Sequence, residues 1–156
     1  MKNIIILLSL MAMMLHVSCC GGNKKSVPEP DSPTFEAPKW SVTNSNAYEC
    51  SMSAIVVLPS ALLTYESDTD ELAVFCGDEC RGVAKRIKVD SKTSVWMLLI
   101  YGKGNDNELL YFKYYSSHNK FMYKDTSYIT FEEDEKYGTV DNPFILSMQK
   151  ITSTDK

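Results

Sequence analysis

Any chemistry in this 156-residue chain would fall to a small set of side chains. There are two histidines, His16 and His118, and five cysteines, Cys19, Cys20, Cys50, Cys76 and Cys80. His118 sits in Ser116-Ser117-His118-Asn119-Lys120, between two β-like runs. A hairpin tip lacks the buried, oriented setting that a catalytic base needs, so Ser–His or Cys–His chemistry is not expected. Cys76, Cys80 and His118 do not have the ligand spacing of a zinc site, and no metal is expected. A two-residue turn at Gly77-Asp78 would set Cys76 opposite Glu79 and Phe75 opposite Cys80. The two thiols then point to opposite faces of the hairpin, a poor geometry for a disulfide. Two readings stay open: Cys50 bonded to one of them, or all three as small buried hydrophobes.

Carboxylates form two clusters, Glu66, Asp68, Asp70 and Glu71, then Glu132, Glu133, Asp134 and Glu135. Paired carboxylates can cut a glycosidic bond or hold calcium. Neither cluster has the glycine-punctuated spacing of a calcium loop, and both read as solvated loops. Gly102-Lys103-Gly104 is a turn without the helix start that a phosphate-cradling loop requires. Arg81, Lys85, Arg86 and Lys88 form a basic strip of the kind that protects a strand edge, with Asp70 or Glu79 as candidate partners for Arg81. No catalytic residue, cofactor or enzymatic activity is expected.

Aromatic residues offer a surface rather than a reaction. If the second hairpin pairs Tyr115 with Phe121 and Lys113 with Tyr123, alternation puts Tyr111, Lys113, Tyr115, Phe121 and Tyr123 on one face. Leu110, Phe112, Tyr114 and Met122 then face the core. Lys113 marks the first face as at least partly wet. An aromatic stripe of this kind can stack on sugar rings or anchor a protein partner. The competing reading is that the tether, a loop or a second sheet covers it. A one-residue slip would exchange the faces.

The elements that must position these residues are strands. Ser51 to Leu58 starts by alternating and ends apolar at Pro59. Glu71 to Cys76 and Glu79 to Lys88 flank the Gly77-Asp78 turn. Ser94 to Tyr101 reads as a strand buried on both faces. Leu109 to Tyr115, Phe121 to Lys124, Tyr128 to Phe131 and Phe144 to Met148 complete the set. Only Ala61 to Glu66 suggests a helical turn. The fold class expected is all-β, an antiparallel, Ig-like β-sandwich of about seven to nine strands over residues 47–150. Residues 151–156 read as a polar tail. The net charge of −4 argues against a nucleic-acid partner.

Ahead of the sandwich, Met1-Lys2-Asn3 leads into an apolar run from Ile4 to Leu15, then Val17-Ser18-Cys19-Cys20. A basic start and an apolar core too short to span a bilayer make residues 1–18 a signal peptide. The Ser-Cys end resembles the lipobox of bacterial lipoproteins, with His16 where that motif usually has Leu. The resemblance implies that Cys19, or alternatively Cys20, carries the acyl chains, making the membrane a partner through this anchor. Residues 19–46, with Pro28, Pro30, Pro33 and Pro38, read as the lipidated Cys followed by an extended tether. Trp40 is placed to dock its end onto the domain. The expected location is the bacterial cell envelope, at the outer membrane. Gly21 to Lys25 stand where surface-exported lipoproteins carry acidic residues, so the periplasmic and surface sides both stay open.

One longer pattern is familiar. Asp70-Glu71-Leu72-Ala73-Val74-Phe75-Cys76-Gly77-Asp78-Glu79-Cys80-Arg81-Gly82-Val83-Ala84 resembles a small β-module of Bacteroidetes secreted and surface proteins. So do Phe112 to Tyr115, Thr130 to Asp134, Tyr137 to Thr139 and Pro143 to Leu146. Cys76 departs from the pattern, which usually has an aliphatic residue there. The resemblance implies an address and a fold but no catalytic residues. The resulting expectation is a non-catalytic, lipid-anchored binding or presentation module for a glycan or an envelope protein. The alternatives are an envelope enzyme inhibitor and a structural assembly protomer.

Overall fold

The computed structural model describes residues 33–90, 93–104 and 107–152. The expected signal peptide, Cys19 and Cys20, and most of the tether lie outside the described residues. The chain is nearly all β. Its strands are β1 (Cys50–Val57), β2 (Glu71–Cys76), β3 (Glu79–Val83), β4 (Lys85–Lys88), β5 (Ser94–Gly102), β6 (Leu109–Ser116), β7 (Phe121–Asp125), β8 (Ile129–Thr130), β9 (Lys136–Tyr137), β10 (Phe144–Ile145) and β11 (Met148–Lys150). One helical turn, α1 (Ser60–Leu63), follows β1 where Pro59 removes a ladder donor.

Two sheets face each other. The first runs β10-β1-β5-β4, with β9 also on β1; the second runs β11-β7-β6-β2-β3, with β8 also on β6. Pairing is antiparallel except where β9 and β10 run parallel to β1. The all-β sandwich is the architecture the sequence predicts. The strand count rises to eleven because two expected runs are divided and β9 adds a strand that was not expected. Asp125 separates β7 from β8, as expected of two strands: its Oδ1 accepts the Ser127 N–H at 3.1 Å, the Ser127 hydroxyl at 2.8 Å and the Ser147 N–H at 3.2 Å. β8 then resumes along β6, where Leu109 meets Thr130.

The two divided runs switch sheets. The run from Glu79 to Lys88 belongs to the second sheet as β3 and to the first as β4. At the switch, the Ala84 N–H donates to the Leu72 carbonyl at 2.8 Å. Gly82 lets the two layers approach there, since a Cβ at that position would lie 2.5 Å from the Leu99 carbonyl oxygen. On the opposite side β10 hands over to β11, with Leu146 N–H bonded to Val57 O at 3.0 Å and Thr126 N–H to Ser147 O at 2.9 Å. The two sheets are thus joined along both edges by chain that passes from one to the other.

Between the sheets lie Met52, Ala54 and Val56 of β1, Leu72 and Val74 of β2, Trp96, Leu98 and Ile100 of β5, and Leu110, Phe112 and Tyr114 of β6. Every second residue of these strands enters the core, as the two-residue period requires. Burying each of the larger side chains contributes about 2–3 kcal/mol. The expectation that β5 is buried on both faces holds only in part: Val95 is fully buried, but Met97 and Leu99 point away from the core and are exposed. An unbroken apolar run shows that a strand is compatible with double burial, but a second layer must exist to cover it. Here Met97 and Leu99 keep 39 % and 49 % of their surface open to solvent.

Candidate functional site

The outer face of the second sheet is built by β2, β6 and β7. β2 and β6 pair in the register Phe75–Tyr111 and Ala73–Lys113. Alternation turns Phe75, Tyr111, Lys113 and Tyr115 outward and sends Leu72, Val74, Phe112 and Tyr114 into the core.

The β6–β7 hairpin differs from the expected register by one residue. Ser116 pairs with Phe121, Tyr115 with Met122, Tyr114 with Tyr123 and Lys113 with Lys124. The loop therefore holds four residues rather than five, closed by Lys120 at φ +59° and by the Asn119 carboxamide oxygen accepting the Phe121 N–H at 3.1 Å. A one-residue slip reverses every side chain of the returning strand. Tyr123 and Phe121, expected on the outer face, are corrected to the inner one. Tyr123 packs on Tyr114 with ring centroids 5.8 Å apart, and Phe121 packs against the core. Met122, expected inside, is exchanged with them, and Lys124 takes the outward position beside Lys113.

Tyr115 faces outward but is only 4 % exposed. Residues 33–46, expected to be tether, lie along this face. The Phe35 N–H donates to the Lys120 carbonyl at 2.8 Å, and the Tyr115 hydroxyl donates to the Phe35 carbonyl at 3.4 Å. Trp40 docks as anticipated, edge-on against Phe75 at 5.6 Å. The competing reading, cover by the tether, therefore holds for the half of the face around Tyr115 and Phe75.

The other half is a groove of about 620 Å³. Tyr111 and Lys113, two of the five expected residues, line it together with Lys124, Tyr128 and Asp78. Tyr111 is held by its hydroxyl, which donates to the Gly77 carbonyl at 2.8 Å. Lys113 Nζ lies 4.5 Å from the centroid of Phe75 and 5.5 Å from that of Tyr111, and Lys124 Nζ lies 4.4 Å from that of Tyr111. Cation–π attraction thus holds two ammonium groups over one aromatic floor. Like charges directly opposite in a ladder repel. No ion pair relieves either lysine among the described residues. Burial, with the Lys124 charge adding to it and the Asp78 charge opposing it, holds Lys113 below the usual lysine range. Tyr128 stands edge-on to Tyr111 at 5.9 Å and is 56 % exposed. Sequence reading missed Lys124, Tyr128 and Asp78. The signal for Lys124 was the loop: a four-residue connection makes it the cross-strand partner of Lys113.

The remaining candidates serve the scaffold. The first acidic cluster is not a solvated loop. Asp70 is buried and accepts from the Tyr114 hydroxyl, the Ser67 N–H at 2.7 Å, and the Ser117 N–H at 2.8 Å and hydroxyl at 2.7 Å. Glu66 accepts from Trp96 Nε1 and from Arg86, both at 2.8 Å, while Asp68 pairs with Arg86 and Lys88. In the second cluster Glu132, Glu133, Asp134 and Glu135 are exposed. Arg81 is buried rather than part of an exposed basic strip. It pairs with Glu79, one of its two expected partners, at 3.2 Å, and with the buried Glu108. Tyr48 lies under its guanidinium, 4.5 Å from ring centroid to Cζ.

Cys50, Cys76 and Cys80 are free thiols. The Gly77-Asp78 turn pairs Cys76 with Glu79 and Phe75 with Cys80 as expected. Cys76 packs towards the core and Cys80 beside Phe75 on the outer face. Burial pushes both thiols up, away from the reactive thiolate. Exposed His118 stacks on Tyr65 at 5.4 Å. Among the described residues, no three His, Cys, Asp or Glu side chains converge as a metal would need, and no helix is long and apolar enough to cross a membrane. The arrangement on the outer face can hold a ligand by charge, by hydrogen bonds and by an exposed ring. Comparison with protein-family models, with curated proteins and with solved structures finds no match to this chain.

Proposed function

We propose that this protein is a non-catalytic binding module, carried on a lipid anchor at the bacterial cell envelope. Its ligand, a glycan or an envelope protein, docks in the groove floored by Tyr111, Lys113 and Lys124. One observation carries this reading: two lysines are held over a buried tyrosine, with no ion-pair partner among the described residues, beside an exposed aromatic ring. Opposing two like charges on a half-buried face costs stability, and a bound ligand that meets both of them would recover it. The anchor rests on the lipobox resemblance at Val17-Ser18-Cys19.

Two experiments test the two halves. The purified protein is screened against a glycan array and against envelope extract, and Tyr128→Ala should remove whatever is captured while leaving the melting temperature unchanged. Capture that is indifferent to Tyr128→Ala places the site elsewhere. For the anchor, cells are fed an alkyne fatty acid. Label that is lost in Cys19→Ala supports Cys19, label lost only in Cys20→Ala moves the acceptor by one residue, and unlabelled wild-type protein rejects lipidation.

A further inference from the structure

We infer that the groove selects an acidic sugar, whose carboxylate or sulfate bridges Lys113 Nζ and Lys124 Nζ while the ring stacks on Tyr128. This rests on the binding role proposed for the same groove and specifies its ligand class.

The charge balance of the groove favours an anion. Its charged lining residues are Asp78, Lys113, Lys124, Asp125 and Lys150. Asp125 is buried, with its Oδ1 accepting from Ser127 and Ser147 and its Oδ2 without a hydrogen-bond partner among the described residues. Lys150 Nζ sits 4.7 Å from the centroid of Phe121. Lysines therefore outnumber carboxylates in the lining by three to two, and neither Lys113 nor Lys124 forms a salt bridge with Asp78. Both ammonium groups approach the Tyr111 ring, so an oxyanion above that ring meets two donors at once. Charge-assisted bonds of this type are the strong ones, and partial burial strengthens them further. Lys113, desolvated by its own strand and repelled by its neighbour, gains most from an incoming negative charge.

A sugar, rather than an acidic peptide, is favoured by Tyr128. Its edge-on contact with Tyr111 fixes the ring, and more than half of the residue remains open to solvent. An exposed, rigid aromatic face is what the C–H side of a pyranose stacks on. Thr126 and Gln149 line the same groove and can serve ring hydroxyls.

The test uses the purified full chain and five immobilised probes: hyaluronan (a uronate), dextran sulfate (a sulfate ester), neutral dextran, neutral cellulose and polyglutamate. Binding to hyaluronan or to dextran sulfate over the neutral polymers is expected, and which of the two binds tells carboxylate from sulfate. Lys124→Gln should weaken it by about tenfold or more. Tyr128→Ala should weaken it to a similar degree, and added salt should weaken it progressively. Asp78→Asn, which removes the opposing charge without emptying the position, should tighten it. Equal melting temperatures for the variants exclude misfolding as the cause.

Preference for polyglutamate over both acidic sugars, or no retention on either sugar, overturns the inference. Neutral-glycan binding that Tyr128→Ala removes and Lys124→Gln leaves unchanged also overturns it, while the proposed binding groove survives. Acidic-sugar binding indifferent to Lys124, Tyr128 and Asp78 overturns both readings.

Discussion

The two outer faces of the sandwich carry the wrong residues for their surroundings, judged by composition alone. The face of the first sheet presents Met97, Leu99 and Ile145 to solvent, the last two 49 % and 63 % exposed. The face of the second sheet carries Lys113 and Lys124 yet keeps Phe75, Tyr111 and Tyr115 nearly dry. Residues 33–46 account for much of the difference, because they lie across the second sheet and leave the first one bare. Side-chain polarity sets which face of a strand can be buried, whereas a separate piece of chain decides which face is buried.

Several perturbations would break or sharpen this contrast. The largest effect is expected at Phe75, which supports Trp40, Tyr111 and Lys113 together. Phe75→Ala should cost about 3–5 kcal/mol in urea unfolding, and a loss below 1 kcal/mol would mean that the outer face is not packed as described. Trp40→Ala removes only the cover. It should cost about 1–2 kcal/mol and speed alkylation of Cys80, which packs beside Phe75 and Trp40. An unchanged Cys80 rate would show that Trp40 does not shield this part of the face. On the bare sheet the same kind of change should matter little. Leu99→Lys is expected within about 0.5 kcal/mol of the parent, and a markedly larger loss would reveal a covering partner on that side.

The smallest effect is a pH dependence at Tyr48, whose ring leans on Tyr101 beside the bare face. Burial, helped by its hydrogen bond to the Glu79 carboxylate, pushes the Tyr48 phenol from 10.0 up to about 12. A raised acid stabilises the fold in full below pH 10, and that contribution is lost as the pH climbs through 12. Tyr48→Phe should therefore flatten the decline in melting temperature above pH 10. An identical alkaline profile would place the loss on another group.

The strands were legible in the sequence because their periods and turns were local. Gly77-Asp78 predicted the first hairpin with its register, and Gly77 adopts φ +57° there. The second hairpin was less readable. Ser116 to Lys120 is compatible with loops of four or five residues, and that single residue exchanged Tyr123 for Lys124 at the site. Asp70 and Arg81 were misjudged for a different reason. Their partners Tyr114, Ser117 and Glu108 are distant in sequence, so a charged residue headed for the interior looked like one headed for water. The half-covered face was the least readable of all. It depends on where residues 33–46 lie, and no alternation pattern within β6 encodes that.

The parallel pairing of β1 also sets the order of events during synthesis. β1 is among the first strands of the domain to emerge, and β5 can close one side of it within about fifty residues. Its other side waits for Lys136–Tyr137 and Phe144–Ile145, which are among the last. Partners so distant in sequence belong to slow-folding topologies. Until those residues arrive, Met52, Ala54 and Val56 lie on a strand with one open edge. One side of β1 therefore has no strand neighbour until residues 136–145 are available.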